Sequence, residues 1–467
     1  MRVLSEKRGA SKTPDVLGSG IPTEGDGTLF AGLFGLFLGL SLLKFGNPIL
    51  LDHLVETPKT IDEWRVFAWP VRFGYLGLAG VTLAGLATLG VRRCRPPLPA
   101  WILGLVLTWL VWQGIATLVS AEPSLSRPVL AHFAACGICF ALGLFALGRV
   151  SQTRTFWLCL VASWIGVLGM AFDQHFGGLE ATRRMILSGP EAKSLSPEYL
   201  ARIQSNRVFS TLVYPNALAG VILMILPLAA VLSWNVGKPW GRRGSWVLGT
   251  SVVVAGLAVL FWSGSKAGWL IAMGLALFLL FDGPLSRRTQ LLIASVFLVA
   301  GLTAFGFVFR EKLSRGATSV SARFDYWTAA SQGFRERPIF GHGPGVFKRV
   351  YARMKRPESE MAQLAHNDYL QQATDSGFPG FIAYAGFVIG SIGLGFRNRK
   401  RWGRTLPYAV WLGLTAWFIQ GLLEFGLYIP ASAWCAFALL GWLLSQAPDP
   451  SESTARESSF SRGTAPH

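Results

Sequence analysis

The chain alternates long apolar runs with short polar breaks over most of its length. Runs such as LFAGLFGLFLGLSLL (29–43) and LLIASVFLVAGLTAFGFVF (291–309) approach the ~20 residues a helix needs to cross a bilayer. The pattern predicts twelve spans, at about 28–50, 71–91, 100–120, 129–148, 155–175, 214–234, 246–263, 267–282, 290–309, 377–396, 406–424 and 428–445. A transmembrane β-barrel would show short alternating segments in place of continuous runs. Helices satisfy their backbone hydrogen bonds internally, so the predicted fold class is all-α, a polytopic membrane helix bundle.

The apolar pattern stops between the ninth and tenth spans, which predicts a large, partly helical loop over 310–376. The organisation read from the pattern is a tail at 1–26, spans one to nine with short loops at 27–309, the large loop at 310–376, spans ten to twelve at 377–446, and a tail at 447–467. That last tail is rich in Ser and Pro and poor in apolar residues, so it is expected to be disordered. No 20-to-50-residue repeat is visible, nor the inverted-repeat signal of many secondary transporters.

Composition agrees with the pattern. Hydrophobic residues make up 51% of the chain and charged residues only 15%, where a soluble chain carries about a quarter. The mean hydropathy is +0.42. Of the five cysteines, Cys94 lies in a basic loop, and Cys136, Cys139, Cys159 and Cys435 lie in apolar segments. Cys136-x-x-Cys139 lacks the βαβ context of a redox motif and reads as small buried residues in a helix. The six histidines form no zinc pattern.

The net charge of +18 is a matter of location rather than of nucleic acid. The N-terminal lead and the short breaks at 92–95, 149–154, 238–243, 287–288 and 397–404 hold 19 Lys and Arg, whereas 121–128, 264–266 and 425–427 hold only Arg127 and Lys266. The positive-inside rule therefore predicts both termini in the cytoplasm, and no cleavable signal peptide is apparent. Longer connections at 51–70, 176–213 and 310–376 then face outward. The last carries eleven cations: Arg310, Lys312, Arg315, Arg323, Arg335, Arg337, Lys348, Arg349, Arg353, Lys355 and Arg356. Long loops translocate regardless of charge, so the orientation stands. An anionic ligand is the natural reason for the concentration; a surface facing lipid headgroups is the alternative.

Four outward constellations carry candidate chemistry. In RVFSTLVYPNALAG, Arg207 precedes Tyr214, Pro215 and Asn216 at the entry to a span; Pro215 and Asn216 would also serve as a simple helix start. In FWSGSKAGWL, Lys266 lies in a tight turn whose Gly264 and Gly268 permit close backbone approach. A cation at membrane depth tends to mark a site. In SARFDYWTAASQGFRERPIFGHGPGVFKRVY, Arg323 offers a planar fork for a phosphate, with Asp325 and Glu336 as alternative partners. Gly341, Gly343 and Gly345 read as a structural turn, since no strand or Rossmann unit surrounds them. In AQLAHNDYLQQATDSGFPG, a helix over 363–374 would place His366, Tyr369, Leu370 and Ala373 on one face and Asn367 and Gln371 on another.

Together these suggest displacement of a lipid pyrophosphate from a sugar at the outer leaflet. The leaving group's charge needs preorganised cations. The attacking hydroxyl benefits from a general base, for which imidazole is suited near neutral pH. The absence of a carboxylate cluster in these loops favours a version in which Arg and Lys replace a divalent metal as clamp.

These segments resemble the O-antigen ligase and polymerase family of bacterial inner-membrane proteins. The strongest element is AHNDYLQ after PIFGHGPGVF, similar to a Pro-x-x-Gly-x-Gly-x-Gly then His-Asn-x-x-Leu pattern. RFDYW, SKAGW and RVFSTLVYPN follow the family's order, and the similarity extends over roughly 200–445. The resemblance implies a transferase without cofactor or metal that takes a glycan from undecaprenyl pyrophosphate to a glycan, lipid or protein acceptor in the periplasm. It further implies His366 as the base and Arg323, Lys266 and Arg207 as pyrophosphate contacts; Asn367, Tyr369, Asn216 and Glu424 are the candidate supporting residues around them. Lys266 stands where the family more often has Arg, and an ammonium acts only as a point charge. The alternative of a different class is a transporter or flippase for a lipid-linked glycan. That activity would place cations within the spans, leaving Glu424 as its main ionisable residue; Glu424 could instead position the acceptor or pair with Lys266.

Overall fold

The computed structural model describes residues 27–89, 98–188, 204–314, 318–357 and 359–447. Cys94 with its basic loop, the N-terminal lead and the C-terminal tail lie outside the described residues. Among those described, all regular secondary structure is helical. The principal elements are α1 (Thr28–Lys44), α2 (Ile61–Val66), α3 (Val71–Leu89), α4 (Ala100–Leu118), α5 (Pro123–Ala141), α6 (Arg154–Asp173), α7 (Leu179–Ser188) and α8 (Pro215–Gly237). They are followed by α9 (Gly241–Trp262), α10 (Lys266–Phe281), α11 (Arg287–Ser314), α12 (Thr318–Glu336), α13 (Phe347–Met354), α14 (Asp368–Trp402), α15 (Leu406–Gln420) and α16 (Pro430–Ser445).

Every predicted span coincides with one of these helices, with shifted ends. The first helix stops at Lys44 because Phe45-Gly46-Asn47-Pro48 cannot continue it, and Lys44 turns back to donate to Arg65 O at 2.6 Å. Among the described residues, five helical stretches are long and apolar enough to cross a membrane: Ala100–Leu118, Pro123–Arg149, Arg154–Arg184, Pro215–Trp262 and Asp368–Trp402. Thr28–Lys44, Val71–Ala87, Lys266–Phe281 and Pro430–Ser445 are shorter apolar helices.

The core is centred on α16, whose residues from Pro430 to Leu444 are all buried. It packs against α1, α5 and α15, while α8 packs against α9 and α15. Between apolar helices in an apolar solvent, close van der Waals contact replaces the hydrophobic drive, and small residues allow it. A Cβ on Gly143 would lie 2.1 Å from Ala438 O, and one on Gly441 would lie 2.1 Å from Phe140 O. The two helices therefore meet backbone to backbone at a matched pair of glycines.

A buried polar relay fixes the start of α14. Trp109 and Gln113 donate to Gln372 Oε1 at 2.7 and 2.8 Å, and Gln372 donates to Tyr428 Oη at 2.9 Å. Tyr428 donates to Asp375 Oδ2 at 2.7 Å, Gln371 donates to Asp375 Oδ1 at 2.8 Å, and Gly345 N donates to Oδ2 at 3.0 Å. Buried hydrogen-bond networks of this kind hold one geometry, because breaking a bond in them leaves a further buried group unpaired. The three glycines of GHGPG all have positive φ and pack this turn onto α14, as expected for a structural turn: His342 N and Gly343 N donate to Thr374 O and Asp375 O, each at 2.9 Å. α14 then kinks at Gly377 (φ 67°), where the tenth span was predicted to begin.

Candidate active site

α15 ends at Gln420, and the following turn places Glu424 outside that helix. Two bonds press this turn onto the beginning of α14: Asp368 N donates to Gly421 O at 2.7 Å, and Leu427 N donates to Asp368 Oδ2 at 3.1 Å. Glu424 is thereby held opposite His366. Asn367, in extended conformation, caps α14, its Oδ1 accepting from Tyr369 N and Leu370 N at 3.0 Å each. The predicted helix over 363–374 thus starts only at Asp368, and His366 lies before the cap at φ 50°. A left-handed non-glycine residue is uncommon and costs on the order of 1–3 kcal/mol. Here it turns the imidazole out of the helical register, to stack on Tyr326 (5.6 Å, 25°) and meet Phe425 edge-on at 4.7 Å.

Glu424 gathers side chains from four further segments. His366 Nδ1 lies 3.3 Å from Oε2. On Oε1, Asn216 Nδ2 donates at 2.6 Å and Arg323 Nη2 donates as an ion pair. Arg207 joins through Asn216, its Nη2 donating to Asn216 Oδ1 at 2.6 Å and its Nε to Ser263 O at 2.8 Å. Gly264 has φ 61°, and a Cβ there would sit 3.2 Å from Arg207 Nε, so glycine permits the tight turn and leaves room for the guanidinium. Lys266 opens α10 three residues past Ser263 and is half-buried, so its turn is tied to the cluster through Arg207.

Several expectations are corrected here. The Arg323 ion pair is with Glu424, not with Asp325 or Glu336; Asp325 lies 4.0 Å from Arg356, and Glu336 pairs with Arg353 at 2.8 Å. Asn216 is no helix cap: Tyr214 occupies that position, and the Asn216 amide bridges Arg207 to Glu424. Two contacts at this end of α14 are not corrections: Asn367 caps the helix, and the Tyr369 hydroxyl donates to Phe418 O at 3.1 Å. The sequence reading did not single out Phe425, Ser263, Asp368 or Gln420, whose Nε2 donates to Asn216 O at 2.8 Å. Only Asp368 carried a signal, as an acidic residue directly after the His366–Asn367 pair.

The electrostatics follow from burial and partners. Burial pushes the Glu424 carboxyl up, but the hydrogen bond from His366 and the charges of His366, Arg323 and Arg207 outweigh it and hold the group below the usual carboxylate range. An ionised carboxylate only accepts, so when the imidazole of His366 is neutral its proton belongs to Nδ1 and its lone pair to Nε2. Burial pushes Tyr326 up to about 12, so a neutral phenol backs the imidazole. Arg323 Nε is buried with no partner among the described residues, an open donor suited to an anionic oxygen. The cluster can therefore supply a base with an oriented lone pair beside guanidinium groups held in place before any ligand arrives.

Residues 251–385 match the family model described as O-antigen ligase, a span that takes in Lys266, Arg323, Tyr326 and His366. A protein of Haemophilus influenzae, itself described only as uncharacterized, is 30% identical over 165 residues, covering 30% of this chain and 41% of that protein. The chain thus spans about two fifths of that relative's length. Arg207, Asn216 and Glu424 fall outside the matched family region yet are bonded into its cluster. The match over residues 251–385 supports membership of the O-antigen ligase family for that part of the chain.

Proposed function

We propose that the chain is a membrane glycosyltransferase that moves a glycan from undecaprenyl pyrophosphate to an acceptor hydroxyl, with His366 as base and Arg323, Arg207 and Lys266 as the pyrophosphate clamp. In this reading the twelve apolar segments cross the bacterial inner membrane, both termini are cytoplasmic and 310–376 faces the periplasm. The observation that carries it is the convergence of His366, Arg323, Asn216 and, through Asn216, Arg207 on the one buried carboxylate of Glu424.

His366 Nε2 takes the proton of the acceptor hydroxyl as its oxygen bonds to the anomeric carbon. The bond from that carbon to the pyrophosphate oxygen breaks, and its electron pair leaves with the lipid diphosphate. Glu424 steadies the imidazolium that forms, the role a carboxylate plays behind a histidine base in hydrolases. The open Arg323 N–H and the neighbouring cations receive the leaving charge. A positioned base contributes roughly 10²–10⁴-fold and each preorganised donor about 10²–10³-fold.

The test is reconstitution of the full chain with an undecaprenyl-pyrophosphate glycan and candidate acceptors, with and without chelator. Product is expected in both conditions, and its identity separates ligation to a lipid or protein from polymerisation onto a second lipid-linked glycan. His366→Ala is expected to lower transfer by roughly 10²–10⁴-fold with unchanged membrane insertion. Wild-type rates from that variant would remove the base assignment.

A further inference from the structure

Not all the cations of the large loop join Glu424. A second set lines a cleft of about 680 Å³ between the α4–α5 connection and α13, with Glu122, Glu336, Arg337, His342, Arg349 and Arg353 in its wall. Arg349 pairs with Glu122 at 2.9 Å and Arg353 with Glu336 at 2.8 Å. Arg337 is exposed and makes no ion pair among the described residues. His342 Nε2 donates to Gly333 O at 3.0 Å, and burial lowers its pKa, so it adds no charge at neutral pH. Three guanidinium groups against two carboxylates leave one positive charge, the complement of one phosphodiester.

Arg337 also borders a second groove, of about 350 Å³, whose wall is apolar: Val119, Pro338, Ile339, Phe340 and Gly341. The depth of that groove is fixed by the helices around it. The candidate spans α4 and α5 end and begin at Leu118 and Pro123, and the kink at Gly377 opens the apolar stretch of α14. Phe378 N donates to Pro338 O at 2.7 Å, Ala121 N donates to His342 O at 3.3 Å, and Phe340 stacks on Trp112 at 5.6 Å. The 338–343 loop therefore sits where three spans meet the water interface, with Leu118, Val119, Ile339, Phe340 and Phe378 exposed around it. An unpaired arginine between a polar cleft and an exposed apolar groove, at headgroup depth, is the layout that an amphipathic anion fits.

We infer that this composite surface binds a phosphate-bearing lipid, its phosphate on Arg337 in the polar cleft and an acyl chain along Val119, Ile339 and Phe340. The site is distinct from the Glu424 cluster. His342 N donates to the carbonyl of Thr374, six residues into α14 from Asp368, which at about 1.5 Å per helical residue is roughly 9 Å along the helix from the end that carries His366. It stands whether or not the glycan-transfer reading holds, because its readout is lipid binding alone.

The experiment is native mass spectrometry of the full chain in detergent, titrated separately with phosphatidylglycerol, diacylglycerol of the same chains, and glycerol 3-phosphate. Phosphatidylglycerol is expected to be retained over both others. Arg337→Gln should weaken its retention roughly tenfold, as loss of one charge-assisted phosphate contact does. Ile339→Asn should weaken phosphatidylglycerol several-fold and leave glycerol 3-phosphate unchanged, and Lys348→Gln, on the same loop but outside the cleft wall, should change nothing. Equal retention of diacylglycerol, an unaltered Arg337→Gln, or a Lys348→Gln as weak as Arg337→Gln would each overturn the site. Glycerol 3-phosphate bound as tightly as the lipid, with Ile339→Asn without effect, would overturn the lipid and leave a simple anion pocket.

Discussion

The two cationic regions of the large loop solve the same electrostatic problem in opposite ways. At Glu424, cations and polar groups from several distant segments share one carboxylate whose side chain is 8% exposed. At the cleft, Arg349 and Arg353 each keep a carboxylate of their own, and Arg349 is 64% exposed. Burial raises the strength of each interaction and the cost of losing a partner together. A shared buried carboxylate makes its partners interdependent; separate exposed pairs are screened by water and act almost alone. The first arrangement holds a fixed geometry for chemistry, and the second leaves Arg337 available to a ligand that comes and goes.

The sharpest way to break that contrast is Glu424→Gln. The change keeps the shape but removes the counterion of a half-buried Arg323 and the acceptor that orients His366. Breaking a buried pair from one side costs about 3–5 kcal/mol, so the variant's melting temperature in detergent should fall clearly and glycan transfer should fall with it. The pH dependence has a definite sign. Since the folded Glu424 pKa is depressed, its contribution is fully present above the unfolded value of about 4.3 and is lost as pH falls through the folded value. Wild type should therefore exceed Glu424→Gln in stability at and above pH 5, and the margin should close on further acidification. A margin that persists undiminished at low pH would show that shape, not charge, holds the cluster.

Much of this architecture was legible in the chain because lipid imposes one rule on the backbone. Every predicted span is helical, and the tight turn at Gly264 and the irregular GHGPG turn fall where glycine placed them. His366, Arg323, Arg207 and Asn216 could be named one by one from polar residues at the edges of apolar runs. Glu424 could be named as well, with Lys266 as its suggested partner, but not its place as the common partner of the other four. Glu424 is 58 residues from His366 and 208 from Asn216, and no local spacing encodes a contact made by tertiary packing. The same limit explains the misplaced start of α14: periodicity through 363–374 favours a helix, but the Asn367 cap and the left-handed His366 are set by the turn at 421–427 pressing on Asp368. The second cation set was visible only as charge, since its meaning depends on the apolar groove that folding places beside Arg337.

Arg323 offers a finer test inside the buried cluster. Arg323→Ala removes both the Glu424 ion pair and the open Nε donor, and should lower donor use by about 10²–10³-fold. Arg323→Lys keeps a charge near Glu424 but loses the planar fork, so it should retain part of that activity. Transfer kinetics against donor concentration decide the matter, and equal losses in the two variants would argue against a two-pronged phosphate contact.

The smallest effect is expected at the cleft. Arg349 and Glu122 are 2.9 Å apart, but the guanidinium is 64% exposed, so solvent screens the pair and side-chain entropy opposes it. A double-mutant cycle of Arg349→Gln and Glu122→Gln, read from melting in detergent, should give a coupling below about 1 kcal/mol that shrinks further at high salt. The same cycle on Arg323 and Glu424 should give a larger coupling that salt affects less, since their side chains are only 18% and 8% exposed. If the exposed pair matched the buried one in size and salt response, burial would not be what separates the two regions, and the division between a rigid reaction centre and a yielding binding surface would lose its physical basis.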